Sequence, residues 1–155
     1  MDMRNIRITS LLPRSYRDEL ERIVFFNPEQ GLVTGTLVDL VRRYGVPAIV
    51  EDGELLRFRA SAFGMLQTLY AMDSSEEPER LVGLAMFTRT RRSSMLVLHL
   101  AVHQDYTSRG KWGSEAVVAQ LVAAIRDLSL RTRGVRSLRI LYPHDVRFDL
   151  RPRTN

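Results

Sequence analysis

The spacing of hydrophobic and polar positions changes along this chain, and the change predicts helices first and strands afterwards. Residues Arg4–Leu12 alternate and are rich in β-branched side chains, which predicts a first strand. Ser15–Phe26 has apolar residues at helical spacing, with Ser15 as the expected N-cap. A second helix is predicted over Thr36–Tyr44, because the segment Gly45–Pro47 stops it.

After residue 47 the pattern becomes that of strands, with alternating or continuous apolar runs between turn residues. The polar segments EDGE at 51–54 and DSSEEPER at 73–80 are typical of turns, so consecutive strands are expected to pair as an antiparallel meander. Five strands are predicted, at Ala48–Val50, Leu55–Ala60, Met65–Met72, Leu81–Thr88 and Met95–Val102.

The C-terminal third predicts a loop, a helix and a last strand. Glu115–Leu130 carries a broad apolar stripe, and Gly134 lies just past its end. Ser137–Tyr142 reads as the final strand, with residues 146–155 as a frayed tail. A right-handed crossover would make the strands on either side of the helix parallel or splayed neighbours. The chain is therefore expected to be one α+β domain over 1–155, a mixed, mostly antiparallel sheet with helices on both faces.

The loop before the last helix, SRGKWG at 108–113, has the composition of an anion site. Backbone N–H groups and the positive end of a helix dipole attract anions. Gly110 and Gly113 would let the backbone approach a phosphate, and Arg109 and Lys111 would add charge. Lys111 is the only lysine among 23 basic residues. The alternative is an ordinary charged turn before a helix.

Composition narrows the classes of function. The chain has 155 residues, 45% of them hydrophobic, which suits one globular core. With no cysteine it has neither disulfides nor a thiol nucleophile, and its three histidines lack metal-site spacing. No apolar run reaches the roughly 18 to 20 residues of a membrane span, and the N-terminus does not resemble a signal peptide. These features predict a cytoplasmic protein with no metal site.

The net charge of +5 favours a polyanionic partner, either a phosphorylated cofactor or nucleic acid. Arginines cluster at 89–92 and 131–139, but acidic residues are interleaved with many of the others. Most of this charge is interpreted as a solvated surface. A basic protein that interacts with RNA is the alternative, against which the absence of an exposed aromatic pattern counts.

The order of elements, β-α-α followed by an antiparallel meander and then β-loop-α-β, and the segment LAVHQDYTSRGKWGSEAVVAQLVAAI at 100–125 resemble the GNAT superfamily of N-acetyltransferases. The resemblance implies acetyl-CoA as co-substrate. It also implies that the backbone of Leu100, Ala101 and Val102 pairs with the pantetheine arm. The pyrophosphate would lie on the loop residues Ser108, Arg109, Gly110, Lys111, Trp112, Gly113 and Ser114.

Two departures from the family pattern stand out. The family loop reads Gln/Arg-x-x-Gly-x-Gly/Ala, whereas counting back from Gly113 puts Ser108 at the first position and Lys111 at the first glycine. Trp112 is bulky for a cofactor loop and is better interpreted as an anchor that packs the loop on the core.

The family also continues with a helix and two strands, but only 13 residues follow Tyr142. Completion of the sheet by a second copy, rearranged N-terminal strands or a degenerate acceptor site are the alternatives, and a homodimer is expected.

The resemblance also directs attention to catalytic groups. A glutamate base is usual on the strand before the loop, but none is present here, so His99 is the candidate base. A period of two would place it on one face with Val97 and His103. Tyr142 is the candidate acid for the leaving thiolate. Each also has a structural interpretation, as a hydrogen-bonded sheet histidine and a packing tyrosine.

Other side chains near the loop are expected to be structural. Tyr106 is expected to pack under the loop, and Asp73 to be a solvated turn residue.

The resulting functional prediction is an N-acetyltransferase that moves an acetyl group from acetyl-CoA to a primary amine of a small molecule or protein. The alternative is a catalytically degenerate GNAT-like domain that binds CoA or a protein partner and acts as a regulatory module.

Overall fold

A computed structural model of the chain describes residues 4–25, 41–91, 93–141 and 146–150. These ranges contain eight strands and two α-helices, and residues 41–44 are also helical. In chain order the elements are β1 (Ile6–Thr9), α1 (Arg17–Phe25), β2 (Ala48–Asp52), β3 (Leu55–Ala60), β4 (Gly64–Asp73), β5 (Arg80–Arg89), β6 (Ser94–Val102), α2 (Val117–Arg131), β7 (Ser137–Ile140) and β8 (Val146–Asp149).

The eight strands form one sheet in the order β2-β3-β4-β5-β6-β7-β8, with β1 paired to β4. Every pairing is antiparallel except that of β6 with β7, which are joined through α2 and run parallel. This confirms the predicted α+β class, the mostly antiparallel sheet and the parallel neighbours at the crossover.

Two helices cover opposite faces of the sheet, as alternate residues of β5 show. Leu84 and Met86 belong to a core cluster with α1, whereas Ala85 and Phe87 belong to a second cluster with α2. α2 buries Val117, Leu121, Ile125 and Ser129, which recur every four residues and so form one stripe.

The N-terminal helix differs in detail from its prediction. Residues Arg14–Tyr16 form a 3₁₀ turn that follows Pro13, so Ser15 lies inside this turn and is not the N-cap of α1. The predicted helix at 36–44 is helical over 41–44, and residues 36–40 lie outside the described ranges.

The predicted frayed tail is wrong for residues 146–150. Val146–Asp149 pairs antiparallel with β7, and Leu150 is buried in the α2-side core and donates its backbone N–H to Arg136. The apolar anchor at Leu150 explains why this segment is held in the sheet. Because β8 covers the outer edge of β7, an uncovered edge on β7 no longer argues for a homodimer, which stays a prediction.

Within the described ranges, no helix is both long and apolar enough to cross a membrane.

Candidate functional site

A β-bulge determines the face of the sheet on which the His99 side chain lies. On β6, His99 lies opposite Met86 and Val97 lies opposite Phe87, so Leu98 is an extra residue in the ladder. Val97 consequently packs in the α2-side core, whereas His99 and Met86 line a cavity on the α1 side. The prediction that His99 and Val97 share a face is therefore wrong, because the bulge breaks the period of two.

The cavity beside His99 is a pocket of about 150 Å³ between α1 and the sheet. Its side chains are apolar apart from His99 and Tyr44, and none carries a formal charge at neutral pH. Val46 and Phe25 are 60% and 36% exposed, so they form its mouth. The lining residues are Val24, Phe25, Val41, Tyr44, Gly45, Val46, Pro47, Ala60, Leu66, Met86, Leu98 and His99.

Burial makes His99 a neutral group. Its side chain is 5% exposed, and desolvation lowers the pKa of the imidazole from 6.5 to about 4. A base near neutral pH needs a pKa close to 7, so the near-neutral titration expected of His99 is wrong. The imidazole instead provides an uncharged polar group in an apolar wall.

The described pairing of β6 with its parallel neighbour covers only part of β6. Its register ends at Val97 opposite Ile140, and Leu141, the last residue described before the gap at 142–145, donates its N–H to the Val97 carbonyl at 2.9 Å. β6 continues to Val102 and leads directly into the loop. The side chains of Leu100 and Val102, two of the residues predicted for the pantetheine arm, pack in the core under α2.

The loop after β6 folds back on itself. The N–H groups of Gly110 and Gly113 donate to Thr107 and Gly110, at 2.8 and 3.2 Å, and that of Trp112 donates to Asp105 at 2.6 Å. Three of the N–H groups predicted to hold a pyrophosphate are therefore already engaged.

The two loop glycines also serve this packing. A Cβ on Gly110 would stand 2.2 Å from the Gln104 carbonyl oxygen, and one on Gly113 would stand 2.6 Å from that of Thr107. These glycines allow close approach of the loop to its own start. The two glycines therefore serve the packing of the loop and do not, as expected from the sequence, make room for a phosphate.

A buried tyrosine and aspartate hold the loop to the sheet. Tyr106 is 2% exposed and packs under the loop as predicted, and its hydroxyl donates to Asp73 Oδ2 at 2.5 Å. Asp73 also accepts the N–H of Ser75 and lies 3.7 Å from the Arg4 guanidinium. The expectation that Asp73 is solvated is wrong, because this carboxylate is fully buried.

The surroundings of Asp73 favour its charged form. Burial by itself raises the pKa of this carboxyl, but the hydrogen bonds from Tyr106 and Ser75 and the charge of Arg4 outweigh it, and the pKa is lowered. The same carboxylate, together with burial, raises the pKa of the Tyr106 hydroxyl.

Trp112 anchors the loop, as interpreted from the sequence. Its ring packs against the α2-side core, and the Arg4 guanidinium stacks over it at 3.7 Å from the ring centre. The Lys111 ammonium lies 4.9 Å from the same ring, while the Arg4 backbone N–H donates to Glu115 at 3.0 Å. The Lys111 ammonium therefore lies against the Trp112 ring, and the Arg109 side chain is exposed.

His103 is a structural residue at the end of β6. Its Nδ1 accepts the N–H of Asp105 at 3.1 Å and so caps the 3₁₀ turn Gln104–Tyr106. Arg80 lies 3.0 Å from His103 Nε2 and 3.3 Å from the Asp105 carboxylate. Burial and the charge of Arg80 lower the pKa of His103, and Asp105 opposes them.

A second, larger cleft of about 930 Å³ begins between the loop and the start of α2 and runs along the helix to Leu130. Of the predicted cofactor residues, Ser108 and Gly113 line it. The sequence prediction placed the start of the helix at the site but did not assign the other residues that line the cleft. These are Tyr106, Thr107, Ala116, Val117, Val118, Ala119, Val122, Ala123, Arg126, Asp127 and Leu130.

One signal for these cleft residues was present in the sequence. The apolar stripe of the last helix is wider than one buried face needs, and Val118 and Leu130 are 43% and 40% exposed. The first N–H groups of α2 have no intrahelical acceptor, and no acidic residue occupies its first turn. The cleft therefore combines an electropositive helix end with an apolar wall.

Two predicted residues are not assessed. Tyr142 lies outside the described ranges, and so does the side chain of Ser114. Among the residues described, no group of three or more His, Asp or Glu side chains is arranged to hold a metal ion. Comparison with family models, curated proteins and solved structures finds no significant match to this chain.

Proposed function

We propose that this chain binds an acyl-CoA and is an N-acetyltransferase of the GNAT type, which transfers the acetyl group to a primary amine. The observation that carries the proposal is the cleft that begins at the loop and the start of α2 and runs along this helix. A volume of about 930 Å³ is in the range of cofactor sites. The resemblance of residues 100–125 to the GNAT superfamily supports the same function.

The chemistry of the cleft suits a phosphorylated ligand with an apolar arm. The first N–H groups of α2, which have no acceptor within the helix, would face the pyrophosphate, and Arg126 and the exposed Arg109 would add positive charge. Val118 and Val122 would contact the pantetheine arm. The engaged N–H groups of the loop shift the proposed phosphate site from the loop to the helix end.

In the proposed reaction the free amine attacks the thioester carbonyl to give a tetrahedral oxyanion, which a backbone N–H donor of the site would stabilise. The carbon–sulfur bond then breaks, and the thiolate takes up the proton that the attacking nitrogen loses as the amide forms. His99, with a pKa of about 4, is a weak proton acceptor at neutral pH. The amine would therefore reach the site already deprotonated, and because a primary amine loses its proton at about pH 10, the rate is expected to rise with pH between about pH 5 and pH 8.

A second candidate is a CoA-binding module without turnover. Two observations favour it: the low pKa of His99, and the lack of any carboxylate among the described residues that line the His99 cavity. Binding is common to both candidates, and turnover separates them.

Acetyl-CoA is expected to bind and raise the melting temperature, because it would bind only the folded state. Ala119→Glu is expected to weaken binding by about tenfold, or 1.4 kcal/mol, since it sets a carboxylate against the phosphates. The same carboxylate favours the start of the helix, so the fold should be retained. Calorimetry measures the affinity, and Ala62→Glu, on an exposed turn, is the matched control.

No binding of millimolar acetyl-CoA to the parent protein would contradict the proposed function. Equal affinities for Ala119→Glu and Ala62→Glu would move the phosphate site away from α2. In that case Arg109→Ala with Lys111→Ala tests the loop instead.

Turnover can be followed without background, because the chain contains no cysteine and released CoA is the only thiol. Thiol release that requires both acetyl-CoA and an added primary amine is the expected result for the enzyme. Binding without thiol release across a panel of amines would favour the non-catalytic module.

A further inference from the structure

The apolar cavity beside His99 is separate from the cleft at α2, since the two lie on opposite faces of the sheet. We propose that this cavity is a binding site for a small, uncharged, apolar molecule or group of about six non-hydrogen atoms. The proposal goes beyond acyl-CoA binding and does not depend on it.

Volume sets the size of the ligand. The cavity measures about 150 Å³, and an enclosed apolar protein cavity of this size accepts benzene. Its walls come from four strands and from the segments around residues 24 and 44, so a ligand would be enclosed from several directions. Leu66, Met86 and Leu98 form the floor on the sheet and are all buried.

The lining sets the charge of the ligand. Val24, Ala60 and Leu66 are typical of the walls, and no side chain that is charged at neutral pH lines the cavity to pair with an ion. An ammonium or carboxylate group would lose its hydration and gain no counter-charge. The site therefore selects neutral, apolar groups.

Access is provided on the α1 side. Val46 and Phe25 line the cavity and are also the most exposed of its apolar residues, at 60% and 36%. A ligand can thus reach the floor without opening the sheet.

Benzene is the test molecule, with benzoate and benzylammonium as charged analogues of similar size. Benzene is expected to bind with a dissociation constant of the order of millimolar or below and to perturb the His99 imidazole resonances in the NMR spectrum. Both charged analogues are expected to bind at least tenfold more weakly.

Two variants reduce the cavity from different walls. Ala60→Leu adds bulk from β3, and Val46→Phe adds it at the exposed mouth, where it does not strain the core. Each is expected to weaken benzene binding at least tenfold. Ala62→Leu makes the same chemical change as Ala60→Leu on an exposed turn and is expected to leave binding unchanged. If Ala60→Leu does not fold, the affinity for benzene is compared between Val46→Phe and the parent protein alone.

The proposal is overturned if benzene does not bind, if Val46→Phe binds it as tightly as the parent, or if the charged analogues bind equally well. Occupation of the cavity by the chain's own residues 26–40 would appear as the first of these results. Acetyl-CoA binding is measured separately at the other face, so the failure of one proposal is distinguishable from that of the other.

Discussion

Acidification from pH 7 to pH 4 is expected to lower the free energy of unfolding by about 3 kcal/mol, because His99 is held neutral in the fold. Its pKa is about 4 when folded, against 6.5 when exposed. The unfolded chain therefore binds a proton in this interval that the folded chain does not. Each pKa unit is worth about 1.4 kcal/mol, so the stability is fully present above pH 6.5 and is lost as the pH falls towards 4.

Urea unfolding at a series of pH values measures this slope. His99→Gln is expected to flatten it between pH 6.5 and pH 4. His103→Gln is the control and should retain most of the slope, because His103 is only partly buried and is not in the cavity. A parent protein equally stable at pH 7 and pH 4, or a His99→Gln variant with an unchanged slope, would show that His99 is not desolvated.

Asp73→Ala is expected to lower the free energy of unfolding by about 3–5 kcal/mol at pH 7, the usual cost of breaking a buried charge pair. The substitution leaves the Tyr106 hydroxyl buried without its acceptor and removes the carboxylate beside Arg4. Tyr106→Phe is expected to cost about 1.5–3 kcal/mol, since it deletes one hydrogen bond to a charged group. Chemical denaturation measures both.

The matched control is Asp52→Ala, which removes a carboxylate that is 63% exposed and pairs with Arg57 at 3.3 Å. Its cost should be below about 1 kcal/mol. Equal losses for Asp73→Ala and Asp52→Ala would refute the structural role of the buried carboxylate.

Because the pKa of Asp73 is lowered in the fold, the contribution of this carboxylate to the free energy of unfolding is present above about pH 3.9 and is lost at lower pH. The effects of Asp73 and His99 thus fall in different pH ranges.

The regular elements could be predicted because each repeats one local pattern. The strand Leu55–Ala60 was predicted to the residue, and the last helix was placed within two residues of Val117–Arg131. The crossover followed from the handedness of strand–helix–strand units, and β6 and β7 are indeed parallel. Such features depend on neighbouring residues and on general packing rules.

The site depended on features that no local pattern contains. The extra residue at Leu98 lies in a continuous apolar run, where a bulge leaves no trace in the spacing of hydrophobic residues. Asp73 was interpreted as a turn residue, because its partner Tyr106 lies 33 residues further along the chain. The pKa of His99 depends on burial by α1 and the sheet, which the strand sequence alone does not show.

The contacts of Arg4 bear on whether this site is a transferable module. Arg4 reaches Glu115, 111 residues away, and stacks on Trp112, while Asp73 on β4 holds Tyr106. A graft of β6, the loop, α2 and β7 into another sheet would bring the helix end proposed to bind phosphate but leave its loop without these three anchors. The cleft is therefore a property of the whole domain, and its transplantation requires the first strand and the acidic turn as well.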